Sequence, residues 1–282
     1  MQADKPSEVR GGRGQQGHNR RYHRPMRNDV CKNLWKNTSE VINWFKAIEN
    51  KSRFTFIVFD IVDFYPSITE DLLLQALDYA KTFATISEKE TDIILHCRKS
   101  LLFHKGQAWV KKEKDGSFDV TMGSYDGAEA CELVGAFMLS KLRPLLGEEC
   151  VGLYRDDGLA IVKDATGHGA DRLRKEIIQV FQTHGLKITI DANRKVVDYL
   201  DISMNLNTGT FQPYRKPNST PVYVDVSSCH PPQVLKQIPI GVNKRLQRIS
   251  CNEDVFNDAK PVYEDALAAS GHPRTMAYSN EP

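Results

Sequence analysis

The sequence has no apolar run long enough to cross a membrane and no closely spaced cysteine pair. Its longest unbroken apolar stretch, Leu133–Leu139, is much shorter than the roughly 20 residues that a membrane-spanning helix needs. The N-terminus is polar and Arg-rich and contains no apolar segment typical of a secretory signal. The six cysteines form no C-x-x-C pair, which disfavours structural zinc and predicts free thiols. We therefore expect an intracellular protein of the nucleus or cytoplasm, neither secreted nor bound to a membrane.

A strong net charge is also missing, because 38 Lys and Arg residues nearly balance 36 Asp and Glu residues. Composition alone therefore does not indicate a nucleic-acid-binding protein. The distribution is uneven, since residues 1–36 contain nine Lys or Arg and only three Asp or Glu. This segment has few apolar residues, so we predict that residues 1–30 form a disordered basic arm. The arm either grips nucleic-acid phosphates or is a solvated tail.

Beyond position 31 the sequence pattern indicates strands alternating with helices. Thr55–Phe59 is a β-branched and aromatic run, which predicts a buried strand ending at Asp60. Ser67-x-x-Glu70 and Ser87-x-x-Glu90 both match the capping box, in which the two side chains bind each other's backbone N–H groups. Each of these motifs therefore predicts the start of a helix.

The second half of the chain contains further elements of both kinds. Ala128–Leu142 is a predicted helix that ends before Pro144. Lys195–Leu206 and Val222–Val226 are predicted strands, and Pro231–Ser270 is predicted to form two or three helices. Because the helices are interspersed among antiparallel strands, the predicted fold class is α+β and not a doubly wound parallel sheet.

Two acidic clusters lie where strands are predicted to end. Asp60 closes the first strand, and Arg155-Asp156-Asp157-Gly158 forms a tight turn between two short strands. A hairpin tip lying beside a neighbouring strand end would bring these three aspartates together. Nucleotidyl transfer needs two divalent ions about 4 Å apart, and carboxylate oxygens are suitable ligands for them. The alternative is that Asp-Asp-Gly is an ordinary turn and that Asp60 merely precedes a helix.

Taken together and in this order, the two clusters resemble the catalytic motifs of reverse transcriptases. Asp60-Ile-Val-Asp63-Phe-Tyr65 resembles the first motif, and Tyr154-Arg-Asp156-Asp157 resembles the Tyr-x-Asp-Asp box. Thr121-Met-Gly123-Ser124 occupies the place of the motif that backs the incoming nucleotide. His184-Gly-Leu186 with Lys195 resembles the next motif, and Tyr199-Leu-Asp201 resembles the primer-grip hairpin.

The region after these motifs resembles one group of retroelements. Tyr214–Asn218, Ser228–Pro232 and Ser270-Gly-His272 are similar to the corresponding region of Penelope-like elements. The resemblance implies a reverse transcriptase palm with residual fingers over residues 31–215. It also implies a small, mostly helical, thumb-like connection and tail over residues 216–282.

The resemblance implies a set of catalytic roles. Asp60 and Asp156 would bridge two Mg²⁺ or Mn²⁺ ions, with Asp157 a weaker or outer ligand. Lys195 would protonate the leaving pyrophosphate, or is simply a solvated lysine on a strand. We therefore expect an enzyme that extends a DNA primer on an RNA template with dNTPs.

The resemblance also implies roles in binding the nucleotide and the nucleic acid. The backbone near Asp63 would approach the triphosphate, and Gly123 and Ser124 would lie behind the nucleotide. Tyr65 would be an aromatic steric gate that clashes with a ribose 2′-hydroxyl, or else a core aromatic residue. Arg155 would face the nucleic acid. Arg215 and Lys216 would hold phosphates, although exposed basic residues need no such role.

Two features depart from the family pattern. A Pro is usual shortly after Ser124, but this chain has Tyr125 and then the acidic Asp126. In addition, only about 25 residues of globular composition precede Asp60, too few to build a fingers subdomain. We therefore expect truncated fingers and part of a retroelement protein.

Three functions remain compatible with these features. The first is an RNA-directed DNA polymerase domain, favoured by the three intact aspartates. The second is a non-catalytic remnant that binds nucleic acid, favoured by the truncated fingers. The third is an RNA-dependent RNA polymerase, which Tyr65 disfavours.

Overall fold

The structure is a computed structural model that describes residues 32–99, 102–109 and 118–279. The predicted basic arm lies outside these residues. The helices are α1 (Thr38–Ala47), α2 (Phe64–Ser67), α3 (Glu70–Lys81), α4 (Glu88–His96), α5 (Gly127–Leu146), α6 (Gly167–Thr183), α7 (Pro232–Ile249) and α8 (Glu253–Ala269). The strands are β1 (Phe54–Ile61), β2 (Leu102–His104), β3 (Gln107–Trp109), β4 (Val151–Tyr154), β5 (Asp157–Lys163), β6 (Ile188–Arg194), β7 (Val196–Tyr199), β8 (Ile202–Asn205) and β9 (Thr210–Pro213).

The chain divides into two compact units, of which the first comprises Met1–Trp35 and Ile57–Ala192. Four strands form a sheet in the order β4-β5-β1-β6. Helix α3 packs against α5, and α5 in turn packs against β4. Apolar side chains of these elements form one continuous core that includes Phe59, Leu73 and Met138. Burial of this core positions the end of β1 and the β4–β5 hairpin.

The second unit comprises Lys36–Phe56 and Asn193–Pro282. Strands β7, β8 and β9 form an antiparallel three-stranded sheet in sequence order. The rings of Phe45 on α1 and Phe56 are stacked, with centroids 6.2 Å apart. Asp201, in the β7–β8 turn, accepts hydrogen bonds from the hydroxyl of Thr38 and from Nε of Arg245 on α7. Asp201 thus connects the sheet to two helices of this unit.

The two compact units do not coincide with the predicted segments. The second unit comprises Lys36–Phe56, which ends within β1, and Asn193–Pro282, whereas the predicted boundary lay after residue 215. Helix α1 contacts α7, and the hydroxyl of Thr38 on α1 donates to Asp201, so residues far apart in the chain form one unit, which a division along the sequence does not capture. The assignment of residues 216–282 as a thumb-like connection and tail stays a prediction.

The predicted end of a helix before Pro144 is wrong. Helix α5 continues through Pro144 to Leu146. Leu142 is fully buried and Leu145 packs against the core, so packing outweighs the loss of one backbone hydrogen bond at the proline. The N–H of Gly147 donates to the carbonyl of Arg143 at 2.8 Å and closes the helix.

The two capping boxes had different outcomes. The box of Ser87 and Glu90 is confirmed, since both reciprocal hydrogen bonds are present at the start of α4. The box at Ser67 is wrong, because Thr69 caps α3 by accepting a hydrogen bond from the N–H of Leu72. Ser67 instead ends the short helix α2 and its hydroxyl donates to the carbonyl of Val62.

Lys195–Leu206 was predicted as one strand, which is wrong. It forms the β7–β8 hairpin, whose turn consists of Leu200 and Asp201. Leu200 has a φ of 53°, a conformation that the sequence does not signal because leucine rarely adopts it. The turn does coincide with the hairpin suggested by the family resemblance.

The predicted strand Val222–Val226 is also wrong, because this segment belongs to none of the strands that the structure describes. Its backbone groups are bound by residues that follow α8. The N–H of Val226 donates to the carbonyl of Ser270 at 3.1 Å, and Nε2 of His272 lies 2.8 Å from the carbonyl oxygen of Val224. These contacts take the place of the backbone hydrogen bonds that a neighbouring strand would form.

Of the two or three helices predicted over Pro231–Ser270, the structure has two, α7 and α8. None of the helices in the described part of the chain is both long and apolar enough to span a bilayer.

Candidate active site

The end of strand β1 lies beside the tip of the β4–β5 hairpin. Strand β5 neighbours β1 in the sheet, and the N–H of Ile61 donates to the carbonyl of Asp156 at 3.0 Å. Asp60 precedes Ile61 and is exposed, and Asp156 is half-buried. The arrangement expected from the sequence, a strand end next to a hairpin tip, is therefore present.

A glycine makes this close approach of the two strands possible. A Cβ atom at Gly158 would lie 2.0 Å from Cε2 and 2.2 Å from Cζ of Phe59. The ring of Phe59 is 1% exposed and packs on the ring of Phe181, with centroids 5.4 Å apart. The ring therefore cannot move aside at low cost. Gly158 thus lets β5 lie against the residue that precedes Asp60.

The hairpin turn is shorter than the predicted turn Arg155-Asp156-Asp157-Gly158, because Asp157 and Gly158 belong to β5. Tyr154 pairs with Asp157, which leaves only Arg155 and Asp156 in the turn. Arg155 has a φ of 55°, a conformation uncommon for a residue with a side chain. Its guanidinium lies 5.7 Å from the centroid of the Tyr154 ring. Backbone strain of this kind often occurs at functional sites.

The carboxyl group of Asp60 is affected by burial and by the charge of Asp156. Desolvation by the surrounding protein, and then the negative charge of Asp156, raise the pKa of Asp60 above its usual value. Two carboxylates that repel each other in this way are a suitable site for a cation that neutralises both.

The donor set fits Mg²⁺ or Mn²⁺ in chemistry but is small. Among residues 32–99, 102–109 and 118–279, no three His, Cys, Asp or Glu side chains are gathered so that they could hold a metal ion. Asp156 lies close enough for its charge to raise the pKa of Asp60, and Asp157 follows at the start of β5. Mg²⁺ commonly uses one or two carboxylates and takes its other ligands from water and substrate phosphates. In this structure Asp60, Asp156 and Asp157 are not gathered in this way, and their joint role as metal ligands stays a prediction.

Tyr65 lies on α2, near the hairpin tip. Burial is the largest cause of the raised pKa of Tyr65, and Cys131 raises this pKa further. The charge of Arg155 lowers the pKa, and the charge of Asp156 raises it. A hydrogen bond joins its hydroxyl to the thiol of Cys131, a buried residue of α5. The ring is half-buried, and Asp63, with a φ of 50°, precedes α2. The structure thus places Tyr65 near the paired carboxylates, and its role as a gate stays a prediction.

The loop before α5 contains Gly123 and Ser124. Gly123 is exposed and has a φ of 85°, and the N–H of Ser124 donates to the carbonyl of Thr121 at 3.0 Å. A Cβ atom at Gly127 would lie 2.6 Å from Oγ of Ser124 and 3.6 Å from Cε1 of Tyr65. The loop is therefore folded tightly against the first residue of the helix, on the side where Tyr65 lies.

Three residues of this region were missed in the sequence. Gly127 begins α5, where only a glycine fits, and a glycine at a helix start was the one available signal. Cys131 contacts Tyr65, and burial raises the pKa of its thiol to about 12. Arg98 forms a buried ion pair with Asp126. The partners of Cys131 and Arg98 are distant in sequence, so no local pattern could predict these contacts.

The remaining predicted site residues belong to the second unit. The ammonium group of Lys195 donates to the carbonyls of Ser52 and Phe54, at 2.7 and 2.6 Å. The guanidinium of Arg215 donates to the carbonyl of Ser219 at 3.0 Å, and Lys216 is exposed. Their roles toward pyrophosphate and phosphates stay predictions.

No protein-family model and no curated protein sequence matches this chain. Several solved structures have a similar fold. The RNA-dependent RNA polymerase of a human picobirnavirus has a TM-score of 0.56 and 11% identity, over 91% of this chain and 54% of the viral one. Telomerase from Candida albicans, in complex with a fragment of telomeric RNA, has a TM-score of 0.55 and 11% identity, over 92% and 45%. Telomerase from Candida tropicalis, truncated from its C-terminal domain, has a TM-score of 0.53 and 16% identity, over 72% and 45%.

At such low identities the likeness shows the fold alone. The chain has a nucleic-acid polymerase fold of the palm and thumb type, and the predicted α+β class is confirmed. The chain spans only about half the length of these three proteins, between 45% and 54%.

Proposed function

We propose that this chain carries the catalytic palm of an RNA-directed DNA polymerase, the reverse transcriptase of a Penelope-like retroelement. The observation that carries the proposal is the position of Asp60 and Asp156, where the end of β1 is hydrogen-bonded to the tip of the β4–β5 hairpin in a polymerase fold. The reverse transcriptase assignment is supported by the two sequence motifs that contain these aspartates, Asp60-Ile-Val-Asp63-Phe-Tyr65 and Tyr154-Arg-Asp156-Asp157. The Penelope-like assignment is supported by Tyr214–Asn218 and Ser228–Pro232.

The proposed site uses carboxylates to hold divalent cations. Two Mg²⁺ or Mn²⁺ ions bound there would activate the primer hydroxyl and neutralise charge on the triphosphate. Asp60 and Asp156 would hold them, with Asp157 as an outer ligand. The charge of Asp156 raises the pKa of Asp60, and a bound cation would neutralise the charge of both carboxylates.

The partners of the chain follow from the same proposal. The nucleic acid would be an RNA template with a DNA primer, contacted by Arg155 at the hairpin tip and by Arg215 and Lys216 in the second unit. A telomerase with a similar fold was solved with RNA, which supports an RNA partner. Such a protein would act in the nucleus or cytoplasm.

The direct test is a primer-extension assay on the full chain. We expect extension of a DNA primer on an RNA template with dNTPs and Mg²⁺ or Mn²⁺, and no extension after chelation of the metal. Fluorescence anisotropy of a labelled RNA–DNA duplex would measure binding in parallel. Binding without extension would favour the non-catalytic remnant, and extension with NTPs in preference to dNTPs would favour an RNA polymerase.

Tyr65 provides a test of sugar selection. If its ring excludes a 2′-hydroxyl by steric clash, Tyr65→Ala should narrow the preference for dNTPs over NTPs by about tenfold or more. Competition between dNTPs and NTPs in primer extension measures this ratio. Tyr65→Phe is the matched control, because it keeps the ring and loses only the hydroxyl that contacts Cys131. If Tyr65→Ala is active and its preference for dNTPs over NTPs is unchanged, Tyr65 has only a structural role.

A further inference from the structure

Arg98 is a buried arginine outside the site residues that the sequence suggested. It follows helix α4, and only 7% of its surface is exposed. Its partner Asp126 is 1% exposed and directly precedes α5. The two residues form an ion pair between Nη2 and Oδ1.

The contacts of Arg98 reach both ends of the loop that contains Gly123. Its backbone carbonyl accepts a hydrogen bond from the N–H of Asp119 at 2.9 Å, before the loop. Its guanidinium binds Asp126 through Nη2 and donates through Nη1 to Oγ of Ser124 at 3.3 Å, after the turn at Gly123. One residue thus holds the loop at its entry and at its exit.

A buried ion pair such as this one contributes little net free energy to the stability of a fold. Removing two charges from water costs free energy that their attraction only partly repays, and apolar replacements of such pairs are often no less stable. In the described part of the chain, Nε of Arg98 is buried without a hydrogen-bond partner, which adds to this cost. The pair is more readily explained by the loop conformation that it fixes.

The pair also accounts for the departure from the family pattern. Reverse transcriptases usually have a proline shortly after the position of Ser124, whereas this chain has Tyr125 and the acidic Asp126 there. Arg98 binds the carboxylate of Asp126. A proline fixes the backbone at a helix start through its ring. Here a charged side chain anchored from α4 restrains the same stretch of backbone.

We propose that Arg98 is a positioning residue that holds Gly123 and Ser124 in the conformation that accepts the incoming nucleotide. The inference rests on the proposed function. Arg98 acts through Ser124 and Asp126 and does not itself contact the substrate. Its guanidinium suits this task, because its planar fork can bind two groups in fixed directions.

The test separates loop position from stability. The double variant Arg98→Met/Asp126→Leu removes both charges without leaving one of them unpaired, so it should still fold. The matched control is Lys99→Met, which removes a cation next to Arg98 whose ion pair with Glu70, at 3.2 Å, is partly exposed. Thermal unfolding establishes that both variants are folded. Arg98→Lys retains the charge but not the fork.

We expect the double variant to bind a fluorescent dNTP analogue about tenfold more weakly. A change of this size is typical of the interaction energy between residues in contact. KM for the dNTP should rise with a smaller change in kcat, and Arg98→Lys should be intermediate. Amide hydrogen exchange should be faster at Ser124 and Gly127, whose N–H groups bond within the loop. Lys99→Met should match the wild type in all three measurements.

The outcomes distinguish this inference from the proposed function. If the wild type binds the nucleotide and the double variant binds it equally well, Arg98 serves only the fold and the inference is overturned. If the wild type binds no dNTP, the proposed function fails. Exchange at Ser124 and Gly127 then decides whether Arg98 holds the loop: faster exchange supports it, and unchanged exchange overturns it.

Discussion

Asp60→Asn is expected to abolish nucleotide incorporation without destabilising the folded chain. In the proposed mechanism the Asp60 carboxylate holds the catalytic cations, and its loss removes several kcal/mol of transition-state stabilisation. Primer extension should therefore fall by about 10³-fold or more. The matched control is Asp92→Asn, which neutralises an exposed acid on α4 and should extend primers like the wild type.

The pH dependence of stability provides a second measurement on the same variant. The pKa of Asp60 is raised in the folded state, so its ionised form disfavours folding. This penalty is absent below the unfolded pKa of about 3.9 and is present in full once the pH exceeds the folded pKa. Asp60→Asn should therefore keep or slightly raise Tm at pH 7, with only a small gain because the group is exposed, and should give no gain near pH 3.

Magnesium should change this comparison. Added Mg²⁺ should raise the Tm of the wild type more than that of Asp60→Asn, because only the wild type has both charges to neutralise. Near-normal extension by Asp60→Asn, or an equal Mg²⁺ effect on both proteins, would contradict the assigned role of Asp60.

Gly158→Ala is expected to give the largest loss of stability of any single methyl addition in the hairpin region. The new Cβ atom would lie 2.0 Å from the buried ring of Phe59, which is held against Phe181. Overpacking of this kind costs about 1–3 kcal/mol and occasionally more, a large part of a typical stability of about 5–15 kcal/mol. Chemical denaturation measures the loss.

Two further variants show whether the steric clash is the cause. Gly167→Ala is the matched control, since nothing lies within 4 Å of the Cβ atom it adds. Phe59→Leu/Gly158→Ala should recover part of the stability lost by Gly158→Ala, because the smaller side chain makes room. Equal stability of Gly158→Ala and Gly167→Ala would show that β5 can move away from Phe59.

The sequence allowed the candidate site to be located because its signals are local. A β-branched run ending at Asp60 indicates a strand, and two short strands around Arg155-Asp156-Asp157-Gly158 indicate a hairpin. Local signals failed where packing opposed them. Helix α5 passes through Pro144 because Leu142 and Leu145 are packed in the core, and the backbone of Val222–Val226 binds residues after α8 and not another strand.

By itself, the sequence determined which chemical groups are available and the kind of element that carries each of them. Only the tertiary structure decided which groups meet. The pairing order β4-β5-β1-β6 brings Asp156 beside the end of β1, and Arg98 reaches Asp126 across 28 residues. The requirement for glycine at positions 127 and 158 likewise comes from neighbours that fold against them. The reason is physical: hydrogen bonding and side-chain periodicity act between residues close in the chain, whereas burial of the core selects contacts between residues that are far apart in it.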